Sequence, residues 1–259
     1  PAKSSPEAQA TYSDAAGLQN GGSFELAAEE WTKFLAKYPQ DPLAAKAQYY
    51  LGVCQLQLKQ YDKAAAAFAA VVKNHSKFEQ LEDAYLNLGW CQYSQGAADP
   101  KQFAAAAETF TNMLKAFPMG KFTDQALYFQ GEAYYQLGQK EPAVAAYDAL
   151  VKGHEKSKLR ADAVYALGVT QEELKQWAEA GKTYDLFLKE FAESPLVTEV
   201  RMRKAETMLQ TGNVAGAEAL FGEIAAIKGF AAADHALIRQ AYCATQQMKD
   251  AVAAALAFF

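Results

Sequence analysis

The sequence predicts an all-α fold, an α-solenoid of stacked antiparallel helix pairs. Two recurring marks predict it. A small residue is followed four positions later by an aromatic one at Ala27/Trp31, Ala64/Phe68, Ala106/Phe110, Ala143/Tyr147, Ala180/Tyr184 and Ala217/Phe221, with steps of 37, 42, 37, 37 and 37 residues between the alanines. Twelve residues ahead of the alanine stands a second small residue, Ala15, Gly52, Gly131, Gly168 or Ala205. In the third copy it is Gly89, 17 residues ahead, because Gly96–Pro100 adds five residues between the helices. Repetition at a period of tens of residues is the signature of a repeat array. The short Val and Ile runs lack the period-two alternation of a half-buried strand.

The marks have a mechanical reading. A short helix pair cannot bury its apolar stripe alone and must stack on its neighbours. Glycine or alanine in the first helix lets the second approach closely, and the ring is expected to fill the gap between that second helix and the next repeat. The six rings are therefore expected in the core.

Taken in order, the first repeat reads as a helix at Ala8–Gly17, a turn at Asn20–Ser23 with Ser23 as a cap, and a helix at Phe24–Tyr38 stopped by Pro39 and Pro42. The second reads as Leu43–Leu58 with Tyr61–Asn74, and the third as Gln80–Ser94 with Gln102–Phe117, closed by Pro118, Met119 and Gly120. The fourth is Thr123–Leu137 with Pro142–Lys152, Pro142 suiting a first helical turn. The fifth is Lys158–Lys175 with Ala178–Phe191, and the sixth Val197–Gln210 with Val214–Ile227. Residues 231–259 keep a helical composition but lose the marks, as an atypical terminal repeat or a cut one does. The expected organisation is a disordered segment 1–7 and a single array 8–259, with repeats near 8–42, 43–75, 76–118, 119–154, 155–195, 196–227 and 228–259.

Bulk properties narrow the function. The net charge is −5 and lysines alternate with glutamates, which argues against nucleic acid, a partner that needs a basic stripe. No apolar run approaches the roughly 20 residues of a membrane span. Cys54, Cys91 and Cys243 make no disulfide framework and are expected as small buried packing residues. The amino end has no leader pattern, and Phe258-Phe259 falls inside a helix. The native chain is therefore expected to continue, with any signal or lipid anchor upstream.

The chemistry of catalysis is absent from the pattern. His75 and His154 occupy equivalent linkers two repeats apart, on the order of 20 Å if helices stack ~10 Å apart, too far to share a metal. No Cys-x-x-Cys, His-Glu-x-x-His, P-loop or Gly-x-Ser-x-Gly spacing occurs. Paired carboxylates such as Glu29-Glu30 and Glu172-Glu173 read as solvated helix faces. No catalytic residue, metal or cofactor is expected.

The Leu-Gly pairs at Gly52, Gly89 and Gly168, the Ala-x-x-x-aromatic spacing, and Pro39 and Pro118 eight residues after the ring resemble the tetratricopeptide repeat (TPR) family over about residues 10–227. The 37-residue period and the linker Tyr38–Leu43 look more like its bacterial envelope branch of BamD- and CpoB-like proteins, with Phe34–Cys54 the nearest stretch. The resemblance implies a right-handed superhelix whose first helices line a concave groove. It also implies a non-catalytic scaffold, periplasmic or outer-membrane-associated, serving outer-membrane assembly or a Tol-Pal/TonB-like system.

Counted from each first-helix mark, the groove positions implied are three before it (Tyr49, Leu86, Tyr128, Tyr165), one after (Val53, Trp90, Glu132) and four after (Tyr93, Tyr135, Glu172). Aromatics with a polar handle are residues that interfaces favour. Asn87 and Lys46 lack the companions of a carboxylate clamp, so the implied partner is an extended or helical polypeptide segment rather than a chain terminus. Glu132, Glu172 and Glu206 give the later repeats an acidic edge. Two alternatives stay open: the aromatics pack between helices in a structural spacer, or residues 228–259 mediate homo-oligomerisation of a longer array.

Overall fold

A computed structural model describes residues 3–256. Among the described residues there are thirteen helices and no strand. The chain divides into two compact units, Pro1–Gln139 and Lys140–Phe259. The first holds α1 (Pro6–Asn20), α2 (Phe24–Lys37), α3 (Ala44–Gln57), α4 (Tyr61–Asn74), α5 (Leu81–Gln95), α6 (Lys101–Ala116) and α7 (Thr123–Gln136). Each of these packs on the next, and α5 also touches α7. The second holds α8 (Lys140–Gly153), α9 (Arg160–Glu173), α10 (Trp177–Glu190), α11 (Val197–Gln210), α12 (Val214–Ala225) and α13 (Ala233–Leu256), again packed pairwise in sequence order. Among the described residues no helix is long and apolar enough to cross a membrane.

The amino-terminal segment differs from expectation. Pro6 and Glu7 already belong to α1, the Ser5 hydroxyl accepts the Ala8 N–H at 3.1 Å, and Ser4 donates to the Asp41 carboxylate at 2.7 Å. A capped first turn and a bond to the linker after α2 account for the order there. Pro1 and Ala2 lie outside the described residues, as do Phe258 and Phe259, the expected cut helix end.

The hairpin inside a repeat closes the same way in five of the six; the third is bridged by Gly96–Pro100, with Gly96 in the right-handed region. One residue in the left-handed region follows the first helix: Gly22, Lys59, Gly138, Lys175 and Gly212. Its N–H donates to the carbonyl three residues back, and the following N–H to the carbonyl five back, as in Lys175 to Glu172 and Gln176 to Gln171, both at 2.8 Å. This is the Schellman arrangement, which satisfies carbonyls orphaned at a helix end. Ser23 stands at the N-cap of α2 without a side-chain capping bond, and its backbone N–H donates to the Leu18 carbonyl at 2.9 Å.

All six alanine–aromatic pairs are buried, none of the rings more than 1 % exposed. The ring's place differs from the expected one. It lies first over the small residue of its own repeat. A Cβ added at Gly52 would meet Phe68 carbons at 2.8 Å, one at Gly89 would meet Phe110 at 2.5 Å, and one at Gly168 would meet Tyr184 at 2.4 Å. The same ring also reaches forward, Phe68 sharing a core cluster with Ala84, Leu88 and Cys91 of the next first helix. The cysteines are packing residues as expected: all are buried, and burial pushes the Cys54 thiol up to about 11 and the Cys91 thiol to about 12.

A buried hydrogen bond also repeats. Thr109, just before Phe110, donates to the Gln92 amide oxygen at 2.7 Å, and Thr183, just before Tyr184, donates to Gln171 at 2.7 Å. The equivalent pair in the second repeat is Ala67 and Gln55, and there the buried Gln55 oxygen has no partner.

Two stability predictions follow from these contacts. Gly168→Ala should gain up to ~1 kcal/mol of helix propensity but lose more by pressing on the buried Tyr184 ring, a net destabilisation of about 1 kcal/mol in thermal or denaturant unfolding. A stabilised variant would show that the ring does not rest on the glycine. Ala67→Thr should supply the missing donor to Gln55 and raise the unfolding midpoint by the equivalent of ~1 kcal/mol. An unchanged midpoint would mean that Gln55 already has a partner.

Candidate functional site

The first helices of the repeats carry the site residues expected from sequence, and all ten are half-buried. Eight lie in the first unit: Tyr49 and Val53 on α3, Leu86, Trp90 and Tyr93 on α5, and Tyr128, Glu132 and Tyr135 on α7. Tyr165 and Glu172 lie on α9 in the second unit.

In the first unit the aromatics serve packing along one edge. Tyr49 sits edge-on to Phe68 at 5.7 Å between ring centroids and 5.6 Å from Phe78, with its hydroxyl engaged by Asn87; burial first, then Asp83, pushes that hydroxyl up to about 12. Trp90 lies edge-on to Tyr61 at 5.5 Å and, like Val53, against the Phe68 core cluster. Tyr93 packs on Phe103 at 5.4 Å and Phe129 at 5.7 Å and reaches Glu132 at 3.3 Å; burial, helped by Glu132, pushes it up to about 12. Leu86 packs against the cluster around Phe110 and Met113, and Tyr128 lies edge-on to Phe129 at 5.4 Å.

The second unit builds something the sequence reading did not find, an open cleft of about 620 Å³ bounded by α9, α11 and α13. Arg203 bridges Glu172 at 2.7 Å and Glu199 at 2.9 Å, and its guanidinium lies 5.6 Å from the Tyr165 ring centroid. Arg239 meets both oxygens of Glu206, at 2.6 and 2.7 Å, with the Phe221 ring 5.9 Å and the Tyr242 ring 5.1 Å away. Trp177 and Met202 supply apolar wall. Burial raises the Glu172 carboxyl above its usual range despite the opposing pull of Arg203.

The expected acidic edge is thus partly neutralised: Glu172 and Glu206 are each paired with arginine, and Glu132 with the Tyr93 hydroxyl. A signal for the cleft was present. The position three before the mark runs Tyr49, Leu86, Tyr128, Tyr165, Met202, and one more step of 37 reaches Arg239. Arg203 carried no such signal, since its position faces different environments in different repeats. Among the described residues no group of three or more His, Cys, Asp and Glu could hold a metal ion.

Known proteins match this architecture. The chain is similar to a crystal structure of a tetratricopeptide repeat protein from Parabacteroides merdae, with 17% identity over 94% of this chain and 88% of that one and a TM-score of 0.59. It is also similar to MamA from Desulfovibrio magneticus, with 17% identity over 74% of this chain and 98% of that one and a TM-score of 0.57. A third likeness is the C-terminal part of a TPR repeat-containing protein from Cytophaga hutchinsonii, with 15% identity over 82% and 77% and a TM-score of 0.59. At these identities the likeness concerns the fold. No curated protein sequence matches the chain. The narrower resemblance to the BamD- and CpoB-like branch draws no support from these likenesses. One sequence profile described as tetratricopeptide repeat matches residues 15–77, 60–99, 101–158 and 130–195, and a second matches 83–118. With those matches spanning well over half its length, the chain belongs to the tetratricopeptide repeat family.

Proposed function

We propose that the chain is a non-catalytic interaction scaffold that holds a polypeptide segment against the outward sides of its first helices. The observation that carries this is a contrast within those helices. The marks at Gly52, Gly89 and Gly168 are buried, whereas the positions three before, one after and four after keep large side chains half in solvent, repeat after repeat. Tyr49, Trp90 and Tyr165 each pack one side on neighbouring rings and leave the other side in solvent, where an aromatic with a polar handle can take up a partner. Placement in a bacterial envelope is part of the proposal and rests on the period and the Tyr38–Leu43 linker. The test is a photo-cross-linking residue at position 93, with position 63 on the far side of α4 as control, introduced into the natural chain in its own host. Adducts with another polypeptide should form at 93 and not at 63, in the envelope fraction. Equal labelling at both positions would overturn the groove, and a cytosolic adduct would overturn the compartment alone.

A second reading, self-association, is favoured by one specific feature. Along α13 the side away from α12 exposes Ile238, Tyr242, Met248 and Val252, with Ile238 66% and Met248 70% exposed. Under this reading the mass measured by light scattering should rise with concentration, and Ile238→Glu with Val252→Glu should abolish the rise. A constant monomer mass would remove this reading.

A further inference from the structure

The cleft of the second unit has a charge balance that selects its occupant. Both of its arginines are consumed by the protein itself, Arg203 by Glu172 and Glu199, and Arg239 by the two oxygens of Glu206. Four carboxylates, the fourth being Glu173, line the opening against these two guanidiniums; Lys140, 3.0 Å from Glu173, offsets one more. An anion entering would meet one carboxylate charge in excess, the His235 ring that also lines the opening, and no uncommitted arginine. A cation would gain charge-assisted hydrogen bonds to carboxylates already partly stripped of water. Glu172 is the most buried of them, its side chain only 11% exposed, and burial there outweighs what Arg203 returns.

Behind this pair lies Tyr184. It is fully buried, its hydroxyl interacts with Glu172 and Arg203, and no hydrogen bond of ordinary geometry satisfies it. The hydroxyl thus backs the Glu172–Arg203 pair from the buried side and leaves the open side of the pair to the cleft. The walls suit the same occupant. Trp177 and Met202 offer apolar surface for an aliphatic stem, and an indole face attracts a cation.

We propose that this cleft receives a basic side chain of the bound polypeptide, a lysine or arginine whose stem lies along Trp177 and Met202 and whose charge lies among Glu172, Glu199 and Glu206. The assignment rests on the polypeptide-binding reading above and adds what that polypeptide must carry. Three end-capped pentapeptides test it: leucine alternating with arginine, the same peptide with citrulline for arginine, and the same with glutamate. The readout is the methyl resonance of Met202 in the folded chain labelled at methionine methyls. The arginine peptide should shift it saturably, with affinity falling as salt rises, and the other two should not. The double variant Glu172→Gln and Glu199→Gln should weaken the arginine peptide about tenfold and admit the glutamate peptide, because Arg203 is then released. Equal shifts from arginine and citrulline peptides, or none, overturn the proposal; this comparison decides even if the double variant loses helicity. Cross-links at position 93 with a silent Met202 would sink the cleft's role alone, whereas silence at both would sink the polypeptide-binding reading with it.

Discussion

The contact on which the rest depends is an aromatic ring packed against a residue with little or no side chain. In the second, third and fifth repeats the ring occupies the volume that a Cβ on the glycine would claim. Ring and glycine thereby set how closely the two helices of a repeat approach, and the far side of the ring sets where the next repeat can sit, as Phe68 does against Ala84 and Leu88. At the outer repeats the glycine becomes alanine, Ala15 with Trp31 and Ala205 with Phe221, and those pairs are just as buried. The seat accepts a methyl only where the ring is placed to allow it.

That contact also ties core to surface. In the first unit the rings over glycine are Phe68 and Phe110, which end in hydrocarbon. In the fifth repeat the ring is Tyr184, and its hydroxyl passes beyond Gly168 to the Glu172–Arg203 pair at the cleft. One oxygen atom converts a packing residue into the inner end of a charged network. Burial in low dielectric makes every member of such a network costly unless paired, which is why Arg203 gathers two carboxylates and a ring.

Much of the fold was legible because the marks are steric and sterics repeat. The alanine–aromatic spacing located every second helix, and the small residue twelve positions earlier located the first. What misled was the ring's partner: spacing shows that a ring needs room but not whether the room belongs to its own repeat or the next. The order of the amino-terminal segment was missed in part because Ser4 is held by Asp41, a contact between residues 37 apart that composition does not reveal; the Ser5 cap with Pro6 in the first turn was readable. The half-exposed face of the first helices was legible. The count placed Tyr49, Trp90 and Glu172 on half-exposed positions, since a face follows from register alone. The cleft was not, because its character depends on which arginine reaches which glutamate. Arg203 pairs with Glu172 from 31 residues away, and the position it occupies in its repeat holds Tyr50 or Phe129 elsewhere.

The same register explains why α13 departs from the other helices. One step of 37 beyond Ala205 falls on Tyr242, so a large ring stands where a small residue would admit the next aromatic. One step beyond Gly212 falls on Lys249, which continues the helix instead of taking the left-handed conformation that closes five of the six hairpins before it. Lysine alone does not forbid that turn, since Lys59 and Lys175 both adopt it. In those repeats the glycine beneath the ring rewards the turn by letting the second helix dock, and Tyr242 removes that reward. Without a docking partner the strained residue has nothing to offset its cost of ~1 kcal/mol or more, and the helix runs on for 24 residues where the other first helices stop at 14 or 15. Tyr242 then lies outward beside Arg239, and α13 closes one wall of the cleft.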